Sequence, residues 1–340
     1  MPRIKIGQQV ATDSLQQTIT DRIKAGKVVP IIGHGLIYDL VLGPGLYMDL
    51  VETYAQYVRY SSTSERWLPQ IAQYVSVVRE QVADREAAKE FYLKFSKSWL
   101  FDRAEAQGLS PEVLEELDEQ FDDLNFSGLA NGLGYPKFEQ GPLDPLLVLA
   151  NLPLPIYVTT SYHYFFEVAL RRANKKPRTA VCPWREGIEA RPFFFDEQYK
   201  LIFEADHEPS EAEPLVYHLH GFDEFPESLV LTEDDYLEFL VAISRDKGRN
   251  TDPILPELRE SLVESSLLLL GLSLRSWAFR VLFWGLIKTD FKRRYRSVCV
   301  QWQPDEVDEK YLRQYLSEAD FEVYRGDIYQ YAQELRQSLL

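Results

Sequence analysis

The sequence predicts a doubly wound α/β fold, a mainly parallel sheet with an inserted helical subdomain, on three observations. Short apolar runs alternate with amphipathic segments through the second half of the chain, the pattern of a parallel sheet covered on both faces. The run from Val28 to Ile32 stops abruptly at Gly33-His34-Gly35, as a buried strand does where it opens into a crevice. From Leu46 to about Leu133 the apolar residues recur at three and four, which is helical spacing.

Each element follows in order. "SLQQTITDRIKAG" reads as a helix stopped by Gly26, and "KVVPIIG" as the first strand. Gly43-Pro44-Gly45 turns the chain into helical stretches over 46–60, 66–100 and 111–126. The Gly-, Pro- and Asn-rich passage 127–145 marks the return to α/β texture. Strands are expected at "LPIYVTT", "PRTAVCP", "QYKLIFEA", "PLVYHLHG", "SSLLLLGLS" and "RSVCVQW". Helices are expected at "HYFFEVALRRANK", "EDDYLEFLVAISRD" and "FRVLFWGLIKT". The C-terminal stretch reads as two amphipathic helices around a short edge strand, "FEVYR". The expected division is 1–45 with 146–304 for the sheet domain, 46–145 for the helical insertion and 305–340 for the C-terminal helices.

Composition narrows the function classes. With 340 residues, 45% hydrophobic and 26% charged, the chain has ample material for a core. No apolar run approaches the roughly 20 residues of a membrane span, and the first residues lack a leader pattern, so a cytoplasmic protein is expected. A net charge of −16 repels a phosphate backbone, which argues against direct nucleic-acid binding. The basic clusters at 171–176 and 292–296 read as solvated ends or as contacts to small phosphates or an acidic partner. Two cysteines, Cys182 and Cys299, are too few for a structural zinc module and read as buried thiols. Asp234 and Asp235 follow Thr232 and read as helix-capping carboxylates.

Several strands end in polar residues on what should be one edge of the sheet. The second apolar strand ends in Thr159, Thr160, Ser161 and His163; another in His218, His220 and Gly221; a third in Gly271, Ser273, Arg275 and Ser276. A Gly-x-Gly there serves a diphosphate through its backbone N–H groups, or simply a tight turn. Singly, each Ser or Thr reads as a helix cap and each His as a packed side chain. His207, in an acidic loop, is expected at the surface.

Four segments, "VVPIIGHG", "YVTTSYHYFFEVAL", "YHLHGFDEFPESLVLTEDDYLEFL" and "LLLLGLSLRSWAFRVLF", resemble in order and spacing the sirtuin-like domains of prokaryotic antiphage defence. The resemblance implies a Rossmann-like, sirtuin-like fold that takes NAD as substrate or ligand, and cleavage of its nicotinamide–ribose bond. It implies His220 as the catalytic base, with Ser161 and His163 at the other catalytic positions. Nucleotide binding is implied for Gly33, His34, Gly35, Thr159, Thr160, Gly271, Ser273 and Arg275. The sequence departs from the family where His34 replaces Ala, Ser161 replaces the catalytic Asn and His163 replaces an Asp; Ser276 stands where an acid is common. Zinc is not expected, since the four-cysteine module of the deacetylase branch is missing.

Three readings follow. One is an NAD hydrolase with an altered site. The second is a catalytically degenerate member that binds NAD or an ADP-ribose-type nucleotide, or a scaffold in a defence complex. The third gives His34, His163, His218 and His220 to a transition metal, with His218 and His220 facing one side of a strand. A homo-oligomer or a partner defence protein is the expected assembly.

Overall fold

The computed structural model describes residues 9–61, 67–79, 84–188, 191–196, 200–204, 206–245, 252–272, 277–287, 297–301 and 321–339. Nine strands among them form one sheet: β1 (Val28–Ile32), β2 (Ile156–Thr159), β3 (Arg178–Val181), β4 (Phe193–Phe195), β5 (Leu201–Phe203), β6 (Leu215–His218), β7 (Ser266–Leu270), β8 (Ser297–Gln301) and β9 (Phe321–Arg325). Their order is β5-β4-β3-β6-β2-β1-β7-β8-β9. From β3 to β9 every pair is parallel, while β4 and β5 add an antiparallel edge.

The central strands are continuous in apolar residues because both faces are covered. Val28 and Ile32 of β1 enter one core, and Val29 and Ile31 enter the other, as the two-residue alternation of a strand requires. The first core packs under α1 (Gln9–Lys24), α2 (His34–Leu42), α8 (Pro145–Ala150), α9 (Phe165–Arg172) and α13 (Ile328–Leu339). The second packs under α10 (Glu233–Arg245), α11 (Pro256–Glu264) and α12 (Trp277–Leu282), which runs into a π turn at Phe283–Ile287. The expected doubly wound α/β architecture is therefore present.

Between β1 and β2 lie α3 (Leu46–Tyr57), α4 (Leu68–Val78), α5 (Arg85–Ala106), α6 (Pro111–Glu119) and α7 (Phe126–Gly132). Asp84, Ser110 and Asn125 start the last three by accepting from the backbone N–H three residues on. Helices α3, α4 and α5 share a core of Val51, Tyr54, Ile71, Val75 and Tyr92. It also takes in Tyr162, Leu229 and Leu231 from the loops at the sheet edge. Helices and crevice loops therefore share packed side chains.

Some expectations need correction. The stretch 66–100 is not one run of helix but two, α4 and α5. Strand β4 was not expected; "PFFFD" has no polar alternation, and its pairing to β3 and β5 only emerges in the fold. The glycine turn after β1 is the start of α2 rather than a loop, with Gly33 as its extended N-cap. His207 is half-buried, its Nε2 3.0 Å from the Glu213 carbonyl. The edge strand "FEVYR" and the last helix are present, whereas the helix expected over 305–320 lies outside the described residues, as does the basic cluster 292–296.

Candidate active site at the strand ends

Register brings the strand ends level. Ile32 of β1 pairs with Thr159 of β2 and Leu270 of β7, and Thr159 pairs with His218 of β6. The residues that follow, Gly33, Thr160, Leu219 and Gly271, therefore leave the sheet side by side. This is where strand order reverses about β1, the position at which open α/β sheets place their ligands.

Two glycines set the closeness of that edge. The Gly33 N–H donates to the Leu270 carbonyl at 2.8 Å, and a Cβ on Gly33 would lie 2.2 Å from the Gly271 carbonyl oxygen. Gly271 has φ +64°, and a Cβ there would stand 2.1 Å from Leu36 Cβ. Neither position accepts a side chain without displacing backbone or α2.

The first turn of α2 begins with His34, whose N–H donates to Thr160 Oγ1 at 2.9 Å. Its ring sits in a cage of aromatic side chains: Tyr38, Tyr47 and Tyr162 have centroids at 4.8, 5.2 and 4.5 Å. His34 is 8% exposed, and neither ring nitrogen has a hydrogen-bond partner among the described residues. Burial, then the nearby His163 and His220, holds the imidazole well below its ordinary pKa. It is neutral, so the crevice offers no cationic His34 to a diphosphate.

The β2 end folds back on itself. Thr159 Oγ1 donates to the Ile32 carbonyl and accepts from the Ser161 N–H, while Ser161 Oγ accepts from the His163 N–H at 3.2 Å. Thr159, Thr160 and Ser161 thus hold the loop through their hydroxyl oxygens. Ser161 has no exposure, and its carbonyl accepts from His218 Nδ1 at 2.7 Å.

His163 stacks on Phe126 of α7 with centroids 4.3 Å apart. Its Nδ1 is 2.7 Å from Asp223 Oδ2 and its Nε2 is 3.1 Å from the Tyr38 hydroxyl. Asp223 Oδ2 also accepts from the N–H and the hydroxyl of Ser127, at 3.0 and 2.7 Å. Asp223 Oδ1 is buried with no hydrogen-bond partner among the described residues. Burial raises the Tyr38 hydroxyl well above its ordinary pKa, helped by Tyr92, Asp223 and Tyr47, so it keeps its proton.

His218 and His220 part company. Strand β6 ends at His218, whose Nε2 lies 2.9 Å from Glu167 of α9. The chain then turns, and His220 packs against Tyr236 and Phe239 of α10, its Nδ1 3.4 Å from the Tyr236 hydroxyl. The alternation expected of a strand fails because the strand has ended. No group of three or more His, Cys, Asp or Glu residues is arranged to hold a metal ion among the described residues, so the four-histidine metal reading is overturned. His220 Nε2 is buried without a partner among the described residues, and burial lowers the ring pKa to about 3. Gly221 (φ +92°) makes the turn, with no room for a Cβ against the Ser228 carbonyl.

Residues 155–323 match the family model for a SIR2-like domain. The chain carries a SIR2-like domain. No curated protein matches it. SIR2-like domains are NAD-related, and the matched span of this one contains Ser161, His163, His218, His220 and Gly271. Gly33, His34, Gly35 and Tyr38 precede the span, yet they complete the same edge of the SIR2-like sheet. Ser273, Arg275 and Ser276 lie outside the described residues. Sequence reasoning missed Tyr38, Ser127, Tyr162, Asp223 and Tyr236. Only Asp223, three residues after His220 in "HGFD", carried a usable local signal. A separate cavity of about 690 Å³ lies between α3 and α5, lined by Tyr57, Phe91, Phe95 and Trp99 among others. Among the described residues no helix is long and apolar enough to cross a membrane.

Proposed function

We propose that this chain binds NAD at the strand ends and hydrolyses its nicotinamide–ribose bond, in the antiphage setting implied by the resemblance of its motifs. The observation that carries the reading is the neutral imidazole of His220, whose buried Nε2 has no hydrogen-bond partner among the described residues, at the edge of a SIR2-like sheet. Buried polar atoms without partners are rare in structural cores and ordinary where a polar ligand is to be met.

In this reading Gly33 lets the strand ends close up and Gly35 opens the first turn of α2 toward the diphosphate, the Gly33 and His34 amides being already taken by the Leu270 carbonyl and Thr160 Oγ1. Ser273 and Arg275 enter this reading only through the resemblance of their motif, as further binding residues. The neutral His220 Nε2 accepts the proton of a ribose hydroxyl as the C–N bond breaks and returns it to the same oxygen as water adds. Nicotinamide leaves with the bonding electron pair, and water supplies the hydroxyl that completes ADP-ribose. The His34 ring, caged among Tyr38, Tyr47 and Tyr162, must move aside for the dinucleotide to enter.

A second reading, a nucleotide binder without turnover, is supported by Ser161. Its hydroxyl faces the His163 amide inside its own turn rather than the crevice. The deciding assay follows nicotinamide released from NAD by wild type, His220→Ala and Ser161→Asn. Turnover in wild type that is lost in His220→Ala supports hydrolysis. Silence in wild type with activity gained in Ser161→Asn selects the binder, and calorimetry that detects no NAD binding rejects both.

A further inference from the structure

Position 161 lacks a carboxamide, so something else must orient and deprotonate the water if the proposed hydrolysis occurs. We infer that Tyr38, His163 and Asp223 form that device, with Tyr38 as the catalytic residue that touches the water and His163 and Asp223 as the residues that position and relay. The inference rests on the NAD-hydrolase reading and assigns residues to its second half, the attack of water.

The geometry fixes the direction of each hydrogen bond. A carboxylate only accepts, so the 2.7 Å contact requires His163 Nδ1 to carry a proton toward Asp223 Oδ2. In the neutral ring Nε2 is then an acceptor, and the Tyr38 hydroxyl 3.1 Å away is its donor. A phenol that donates one hydrogen bond still has lone pairs to accept another, here from water. The order hydroxyl, imidazole, carboxylate is that of a nucleophile-activating triad, in which the acid holds the tautomer and stabilises the imidazolium. In this chain the hydroxyl passes a proton instead of attacking.

Three features favour a relay over a packing contact. All members are at most 4% exposed, so the protons cannot be taken by bulk solvent. Asp223 Oδ2 is anchored by both donors of Ser127 and the His163 ring is held flat against Phe126, so donor and acceptor are fixed before the ligand arrives. The Tyr38 ring also lies 4.8 Å from the His34 ring, whose nitrogens are unpartnered among the described residues, which puts the relay beside the first turn of α2.

The step balances. Water oxygen bonds to the ribose carbon that nicotinamide has left with its electron pair. One water proton goes to the Tyr38 oxygen while the Tyr38 proton goes to His163 Nε2, leaving an imidazolium beside Asp223. Release of that proton after ADP-ribose departs restores the start, and His220 separately handles the ribose hydroxyl.

The test compares wild type, Tyr38→Phe and Asp223→Asn for nicotinamide release, with kcat and KM resolved and kcat measured in light and heavy water. NAD affinity is read by calorimetry. The expected result is a fall in kcat of roughly 10²–10³ in both variants with KM changed little, by analogy with loss of a positioned polar group. A solvent isotope effect in wild type is expected to vanish in Tyr38→Phe. Wild-type turnover that persists within threefold in Tyr38→Phe overturns the relay and leaves the hydrolase reading standing. No turnover in wild type overturns both. Tyr38→Phe removes one oxygen and keeps the ring, so it decides the matter even where Asp223→Asn fails to fold.

Discussion

Burial fixes the charge of the two imidazoles at the crevice, and this makes stability depend on pH in a definite direction. His220 titrates near 3 in the folded chain, and His34 also lies well below its ordinary value. Unfolding returns both to about 6.5, so below that pH the unfolded chain binds protons that the folded chain refuses. Their contribution is therefore full above pH 6.5 and is lost progressively below it, for His220 down to about pH 3. The slope approaches about 1.4 kcal/mol per pH unit for each ring. Urea titrations between pH 7 and 5 are expected to give falling stability, with about half the slope removed in His220→Gln; a flat profile contradicts neutral burial. His34→Ala is expected to tighten NAD binding roughly tenfold, equivalent to about 1.4 kcal/mol, by removing the ring that fills the entrance. Calorimetry with weaker binding would mean that the ring contacts the ligand instead. At this scale the sequence was a partial guide. It singled out His34, Ser161, His163 and His220, because polar residues at strand ends are conspicuous. It could not single out Tyr38, since one tyrosine among 20 stands out only when α2 carries it to His163.

Among the elements, α2 is the one whose start most controls the site. Gly271→Ala sets a left-handed backbone against a side chain and drives a methyl into Leu36, so a loss of about 1–3 kcal/mol is expected in chemical denaturation. Wild-type stability in that variant would mean that the β1 and β7 ends do not approach as described. Helix α10 begins with a reciprocal cap: Thr232 Oγ1 accepts from the Asp235 N–H, and Asp235 Oδ2 accepts from the Thr232 N–H at 2.9 Å. This bears out the capping role read from the Thr232 to Asp235 stretch, and Thr232→Ala is expected to cost about 1 kcal/mol. The strands were legible because continuous apolar runs between turn residues are a strong signal. Helix α2 was not, because two glycines around a histidine look like a loop until Gly33 is seen to cap and Ile37 N–H to bond back to the Gly33 carbonyl.

Across the molecule, the helices between β1 and β2 are joined to the sheet by buried charge as well as by apolar packing. Lys89 of α5 has no exposure and lies 3.4 Å from Asp235 of α10, with a further contact to the Glu227 carbonyl. Burial lowers its pKa, opposed chiefly by Asp235. Glu86 Oε1 lies at the same 3.4 Å, so Asp235→Ala leaves the ammonium only its more exposed carboxylate and also removes the α10 cap; a loss of about 3–5 kcal/mol is expected, of which Lys89→Met with Asp235→Leu recovers the charge part but not the cap. Thermal denaturation of the three proteins checks this; a small loss in Asp235→Ala would mean that the pair is solvated. The sequence showed where the helical texture began and ended, through a change of periodicity. It did not show that this texture reaches back to the strand ends, because the contact joins residues far apart in the chain.

Ser127 of α7 gives both of its donors to Asp223. Anyone who pares the protein down to its sheet and flanking helices therefore removes the anchor of Asp223 along with the apparent appendage. Such a miniature should still display its glycine turn, yet the aspartate would swing toward solvent and the neighbouring imidazole would lose its fixed tautomer.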